Sequence, residues 1–344
     1  MRKPDFWQAL LSLDLSAEKS RELLDRLGPS CITADDLLAS PVLSGSDRKK
    51  LTEQKPLSQH QASLLKPISI EEAAFPENIR ASQNPPVALM VAGELLPSDT
   101  LAVAIVGTRK ASGYGRSIAR KLASQLAKSG ITIVSGAAFG IDAEAHRGAL
   151  EAGGRTIAVM GSGLDIPYPA SHRGLLNLIA RSGAVVSQFA LGTKPDWYRF
   201  PNRNYLIAGF TRAVIVVEAP EKSGALLTAN LAGEEGRHVF VTPAQMDNAA
   251  YLGGFRLIND GATLLYSVDQ VFEALGVERR AEPKKAARLS PNQRLILDKL
   301  SAEPELADNL SEKLDQPAGV ILAELTGLEI EGLVAKSGGG YVKV

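Results

Sequence analysis

The chain has 344 residues, 45% of them hydrophobic and 22% charged, with 31 glycines and 19 prolines; this suits a loop-rich α/β protein and excludes a disordered one. Its single cysteine, Cys31, excludes an internal disulfide framework and fits a reducing, cytoplasmic setting. No run of about 18 apolar residues occurs, so no helical membrane span is expected, and the N-terminus MRKPDFWQALLSLDLSAEKS lacks the unbroken apolar core of a signal peptide.

The 38 basic and 38 acidic residues cancel, which taken alone argues against a nucleic-acid binder. Their distribution is uneven. Residues 101–141 contain Arg109, Lys110, Arg116, Arg120, Lys121 and Lys128 and no acid, whereas residues 289–344 hold five basic and nine acidic residues, a net of −4.

Residues 1–66 are expected to form an N-terminal helical module of SAM-like type. Leu10, Leu11, Leu13, Leu23, Leu24, Leu27, Leu37 and Leu38 recur at helical spacings, broken by Gly28-Pro29 and Ser40-Pro41. The proline-punctuated FPENIRASQNPPVALMVAGELL then leads in, with a short apolar strand at Val87–Val91. Residues 67–278 read as the central domain. Apolar runs at Ala102–Val106, Ile131–Val134, Thr156–Met160, Ala184–Ser187, Ala213–Val217 and His238–Val241 alternate with helical patterns such as Ser117–Lys128, Asp142–Ala152 and Ala225–Glu235. That alternation predicts a Rossmann-like, doubly wound α/β fold with a mostly parallel sheet covered on both faces. A charged Pro/Ala linker, RRAEPKKAAR, occupies 279–288. Residues 289–344 then read as three amphipathic helices and a Gly-tipped hairpin, the winged-helix arrangement. Its net negative charge disfavours phosphates, so this domain is expected to bind protein, or the chain's own basic domain.

The first strand of the central domain runs into AIVGTRKASGYGRS, in which Gly107 follows the strand and Gly113 and Gly115 open the helix. Open α/β sheets bind ligands at such carboxyl ends. Backbone amides at a helix start bind phosphate oxygens, and Arg109 can add a bidentate contact. The spacing matches neither G-x-G-x-x-G nor a Walker A loop, and one such turn could be merely structural. Similar turns recur at SGAAFGID (Ser135–Asp142), GSGLD (Gly161–Asp165) and EKSGALLTA (Glu221–Ala229). Together they exceed what one mononucleotide needs and fit several phosphates in a row. GTKPDWYRFPNRNYLIAG (Gly192–Gly209) packs Lys194, Arg199 and Arg203 beside Trp197, Tyr198, Phe200 and Tyr205 in a chain that is only 5% aromatic. Cations that follow phosphates and rings that stack bases are the ingredients of single-strand binding. The alternative is an aromatic core plug with snorkelling arginines.

No catalytic residue, metal or cofactor is expected. His60, His146, His172 and His238 lack metal-ligand spacing. Asp142, just ahead of a helical pattern, suits an N-cap better than a catalytic acid. Ser135, Ser162 and Ser223 lack a G-x-S-x-G elbow.

VGTRKASGYG, SGAAFGIDAEAH, GSGLDIPYP, FPNRN and EAPEKSGALLTANLAGEEGRHVFVTP resemble, in order, the motifs of the DNA processing protein A (DprA/Smf) family. The resemblance spans about residues 70–270. It implies a protein that binds and protects incoming single-stranded DNA in natural transformation and loads the RecA recombinase, as a homodimer and without catalytic turnover. By the same resemblance Gly107, Thr108 and Arg109 correspond to the phosphate turn, and Ser135, Gly136, Gly140, Gly161 and Gly163 to neighbouring turns. Lys194 and Trp197 are similar to the family's cation and stacking ring, and Phe200, Arg203 and Asn204 to its F-P-x-R-N motif. The dimer and RecA surfaces would fall near Phe255, Leu257 and Ile258. Tyr205 stands where the family carries a second arginine, which would remove a phosphate contact or add a stacking ring; Ala170 stands where a basic residue is usual.

The competing enzymatic reading is a nucleotide phosphoribohydrolase of the lysine-decarboxylase-like Rossmann group. It needs a P-G-G-x-G-T-x-x-E loop. The corresponding EKSGALLTANLAGEE has no such loop, and its Glu234 and Glu235 come late.

Overall fold

The structure, a computed structural model, describes residues 3–27, 34–53, 58, 66–279, 289–301, 304–330, 333–337 and 339–343. Cys31, His60 and residues 280–288 of the expected linker lie outside them. The chain divides into two compact units, Met1–Arg280 and Ala281–Val344.

The first unit is built on a nine-stranded sheet of order β1-β2-β6-β5-β4-β3-β7-β8-β9. Its strands are β1 (Lys66–Ser69), β2 (Ala88–Gly93), β3 (Ala102–Val106), β4 (Thr132–Ser135), β5 (Thr156–Val159), β6 (Ala184–Ser187), β7 (Ala213–Val216), β8 (His238–Val241) and β9 (Thr263–Leu264). All neighbours from β6 to β9 pair in parallel. The lead-in supplies two edge strands instead of one: β2 pairs antiparallel with both β1 and β6, and β1 begins at Lys66.

Side chains alternate across each strand, which explains why the central runs are apolar throughout. Ala102, Ala104 and Val106 of β3 enter one core, with helices Arg199–Phe210 and Gly224–Glu234. Val103 and Ile105 enter the other, beneath helices Gly113–Lys128, Ile141–Glu151 and Asp269–Leu275. The two cores make this the expected doubly wound, mostly parallel Rossmann-like sheet.

Helices Lys3–Ser12, Ala17–Leu27, Ala34–Ala39 and Gly45–Glu53 form the N-terminal module. Phe6, Trp7, Leu10, Leu13, Leu23 and Leu37 share a core with Val87, Ala88 and Met90. Gln8 exchanges two hydrogen bonds with the Leu191 backbone (3.2 and 2.8 Å), fixing the loop that leaves β6.

The second unit has helices Pro291–Lys299, Ala307–Leu314 and Ala318–Ile330 and the antiparallel hairpin β10 (Val334–Ser337)/β11 (Gly340–Lys343). Ser290 opens it with a capping box to Gln293. Ile296, Leu310, Ile321, Leu325 and Tyr341 close its own small core. This is the winged-helix architecture.

Candidate nucleic-acid interface

Because β6 to β9 run parallel, the turns that follow them open on one edge of the sheet. The chain enters at β3, winds outward to β6, then returns to β7 on the other side of β3. The β3–β7 junction is therefore the topological switch point, where open α/β sheets leave a crevice.

Glu218, just after β7, organises that junction. Its carbonyl accepts the Thr108 amide at 2.7 Å, and its buried carboxylate accepts the Ser112 amide and hydroxyl at 3.0 and 2.9 Å. Ser112 caps helix Gly113–Lys128 by accepting the Gly115 amide at 3.0 Å. Gly107 is required here: a Cβ would stand 2.9 Å from the Glu218 carbonyl oxygen and inside the Ile141 side chain. Glu218 opens the EAPEKSG motif but was given no role there; the available signal was a lone acid ending an apolar strand.

A cavity of about 320 Å³ opens at the junction, lined by Gly107, Thr108, Arg109, Phe200, Arg203 and Asn204 and, across it, by Lys222–Ala225. The Phe200 ring carries the guanidinium of Arg109 at 5.2 Å and that of Arg203 at 5.6 Å. Tyr168 lies 5.8 Å from the same ring. Arg109, Lys110 and Lys222 are exposed and have no carboxylate partner among the described residues. The cavity rim is thus cationic.

Lys194 and Trp197 sit on the loop that leaves β6 at the same edge. Three strand spacings separate β6 from β3, about 14 Å. Lys194 is exposed and has no carboxylate partner among the described residues, and Trp197 is 81% exposed. An unburied indole of that kind is a free stacking face.

The other expected contact residues are mostly internal. The Ser135 hydroxyl donates to the Ile105 carbonyl at 2.7 Å. Gly161 and Gly163 are buried, and a Cβ on Gly161 would stand 2.9 Å from the Phe200 ring. Arg203, 5% exposed, donates through Nη1 to the carbonyls of Gly136 (2.5 Å) and Val159 (3.1 Å) and through Nε to Asn204 (3.0 Å). Asn204 donates in turn to the Gly224 carbonyl at 3.1 Å. These groups hold the turns in place, and Arg203 and Asn204 still line the cavity. Gly140 has φ 74°, and a Cβ there would strike the Thr108 carbonyl, so the two turns interlock.

Asp142 does not cap its helix. The cap position is Gly140, and Asp142, one residue into helix Ile141–Glu151, folds back to accept the amides of Gly136 (3.2 Å) and Ala138 (3.4 Å). Burial pushes its carboxyl up, and nearby Arg203 opposes that shift.

Arg199 and Tyr205 are structural. Arg199 pairs with Asp14 at 3.2 Å and stacks on Tyr198 at 4.7 Å. The Tyr205 hydroxyl donates to Glu235 at 2.8 Å and accepts the Asn84 amide at 2.6 Å, so its polar end is satisfied within the protein. On helix Leu252–Asn259, Leu257 is buried in the sheet core and Ile258 packs against that core. Leu257 therefore offers no surface to a partner, because it faces inward; Phe255 is half-buried. Among the described residues no cluster of His, Cys, Asp or Glu could hold a metal, and no helix is long and apolar enough to cross a membrane.

A family model described as DNA recombination-mediator protein A matches residues 66–276, and one described as DprA winged helix domain matches residues 280–340. The protein Smf of Escherichia coli K12 is 36% identical over 287 residues, covering 80% of this chain and 77% of that protein. Smf of Synechocystis sp. is 39% identical over 253 residues, covering 72% of this chain; the chain spans 64% of that relative's length. DNA processing protein A of Streptococcus pneumoniae superposes with a TM-score of 0.67 at 31% identity, over 79% of this chain and 98% of that one. DNA processing protein A from Helicobacter pylori, which has a unique single-stranded DNA binding mode, superposes with a TM-score of 0.55 at 29% identity, over 62% of this chain and 97% of that one.

Proposed function

The chain belongs to the DNA recombination-mediator protein A family, and we propose that it captures single-stranded DNA, without regard to sequence, along the carboxyl edge of its sheet. The observation that carries this is the pairing of Arg109 with Lys194. Both are exposed, neither has a carboxylate partner among the described residues, and the turns that bear them open on one edge. Phosphates would dock on Arg109, Lys110, Lys194 and Lys222 and on the amides of the glycine-rich turns, while Trp197 stacks a base. The buried residues Ser135, Gly136, Gly161, Gly163, Arg203 and Asn204 keep that surface in shape. Electrostatic capture of this kind falls steeply with salt.

The reading extends to protection of incoming DNA in transformation, handover to RecA, and homodimerisation through the region of Phe255. The acidic winged helix would serve a protein contact rather than duplex DNA. The enzymatic alternative lacks its acid: Glu234 and Glu235 end helix Gly224–Glu234, about 15 Å along the helix from the carboxyl edge, and Glu235 is bonded to Tyr205 and to the Gln83 amide. Gel-shift titration of single- and double-stranded oligonucleotides tests the central claim. Preference for single strands that is lost in Arg109→Ala and Lys194→Ala is expected; unchanged affinity in both variants would refute it. RecA nucleation on the bound strand and sedimentation equilibrium test the two partner claims.

A further inference from the structure

Six phenylalanine, tyrosine and tryptophan side chains are exposed among the described residues: Tyr114, Phe139, Tyr168, Trp197, Tyr198 and Tyr266. Apolar side chains scattered singly over a surface need no explanation, but these are not scattered. Each lies in a segment that leaves a parallel strand at the carboxyl edge, the edge that carries Arg109 and Lys194.

Phe139, on the turn after β4, is 50% exposed, and Tyr168, on the turn after β5, is 42% exposed. Since β4 and β5 lie between β3 and β6 in the sheet, both rings fall in the interval of about 14 Å between Arg109 and Lys194. Each is propped from the protein side, Phe139 on the buried His172 ring at 4.9 Å and Tyr168 on Phe200 at 5.8 Å. The four turns are also tied in series. The Ile141 amide donates to the Thr108 carbonyl at 3.3 Å, His172 Nδ1 to the Ala137 carbonyl at 2.9 Å, and the Gly163 amide to the Thr193 carbonyl at 2.9 Å. The rings are thus in place before a ligand arrives, and little freedom is left to lose on binding. Charge divides the row. Residues 136–140 and 160–169 contain no Lys or Arg, and their one acid, Asp165, accepts the Gly192 amide at 2.9 Å. The middle of the row offers rings without cations, whereas Arg109 and Lys194 at its ends are exposed and have no carboxylate partner among the described residues. Phosphates follow cations and bases follow rings.

We infer that the bound strand crosses the four turns between Arg109 and Lys194, with phosphates held at those two ends and the bases between them stacked on Phe139 and Tyr168. The inference rests on the single-strand reading and adds to it the path of the strand and two base sites.

The test is fluorescence anisotropy of two labelled strands of equal length, oligo-dT and an abasic deoxyribose-phosphate strand, with the full chain and its variants, each checked by thermal unfolding. Phe139→Ala and Tyr168→Ala are each expected to weaken oligo-dT about 5- to 150-fold and to bind the abasic strand as the parent does. Phe139→Tyr and Tyr168→Phe, which keep a ring, should hold oligo-dT as the parent does. Where an alanine variant lowers Tm, Phe139→Leu or Tyr168→Leu keeps the packing and should show the same selective loss. Unchanged oligo-dT affinity in either alanine variant, or equal losses on the two strands, overturns the inference. Arg109→Ala and Lys194→Ala, which should weaken both strands, report on the single-strand reading separately; that reading fails if both bind as the parent does.

Discussion

Arg203 and Gly136 are in direct contact: the guanidinium reaches through a space that only a residue without a side chain leaves open, and donates to the Gly136 carbonyl at 2.5 Å. A Cβ on Gly136 would collide with that guanidinium and stand 2.8 Å from the Asp142 carboxylate. Helix Arg199–Phe210 is in this way tied to the turn after β4 and to the end of β5, because Arg203 also donates to the Val159 carbonyl.

Gly136→Ala should therefore cost about 1–3 kcal/mol by overpacking. Arg203→Ala should cost about 3 kcal/mol or more, since it strands a buried carboxylate and two carbonyls. Urea unfolding measures both. A neutral Arg203→Ala would mean that the turns hold themselves.

Arg109→Ala should change stability by no more than about 1 kcal/mol, because the side chain is exposed and gives up only its contact with the Phe200 ring. It should weaken single-strand binding alike for all sequences and lower the slope of log K against log salt by about one. Titrations of two unrelated sequences at several salt concentrations check this. An effect on one sequence only would indicate base reading instead.

Trp197→Ala should lose about 1–3 kcal/mol of single-strand affinity with no change in Tm, since the ring is 81% exposed. The only other tryptophan, Trp7, is 7% exposed in the helical module. Fluorescence quenching on DNA addition should accordingly vanish in the variant, and quenching that survives would move the stacking site elsewhere.

His146 makes the protein acid-sensitive. Its ring is fully buried, with Nδ1 2.7 Å from the Thr156 hydroxyl. That hydroxyl itself donates to the Ile133 carbonyl, so Nδ1 carries the proton and donates. Burial, reinforced by His172, Arg203 and Arg147, pushes its pKa down from 6.5 to about 3. Because the folded value lies below the unfolded one, this stability is present above pH 6.5 and is lost as pH falls toward 3. Between pH 7 and pH 5 the loss should be about 2 kcal/mol. His146→Asn should abolish that component of the pH slope in urea unfolding. Asp142, shifted the opposite way, is common to both proteins and cancels in the comparison.

Tyr205→Phe should cost about 0.5–1.5 kcal/mol by removing the half-exposed hydroxyl that links Glu235 to the Asn84 amide and leave single-strand affinity intact. A weakened DNA affinity at full stability would show that Tyr205 touches the strand after all.

The strands and turns were legible because their signals are local. β3, β6 and β8 occupy the very runs Ala102–Val106, Ala184–Ser187 and His238–Val241, and each expected turn follows a strand at the carboxyl edge. Asp142 was misread as a cap because the helix starts at Ile141, one residue earlier than its periodicity suggests. The lead-in concealed β1 because a four-residue edge strand, Lys66–Ser69, has too few residues to display a period.

The order of elements, the doubly wound sheet and the row of glycine-punctuated turns were determined by the sequence alone, since periodicity and turn chemistry are settled between residues a few positions apart. Which motif residues face outward was decided only by tertiary structure. Arg199, Arg203 and Tyr205 have the same local character as Lys194 and Trp197, but they meet Asp14, Gly136 and Glu235, which lie 185, 67 and 30 positions away. Those partners consume their hydrogen-bonding capacity. Arg109 and Lys194 meet no such partner among the described residues, and their charge is left for a ligand.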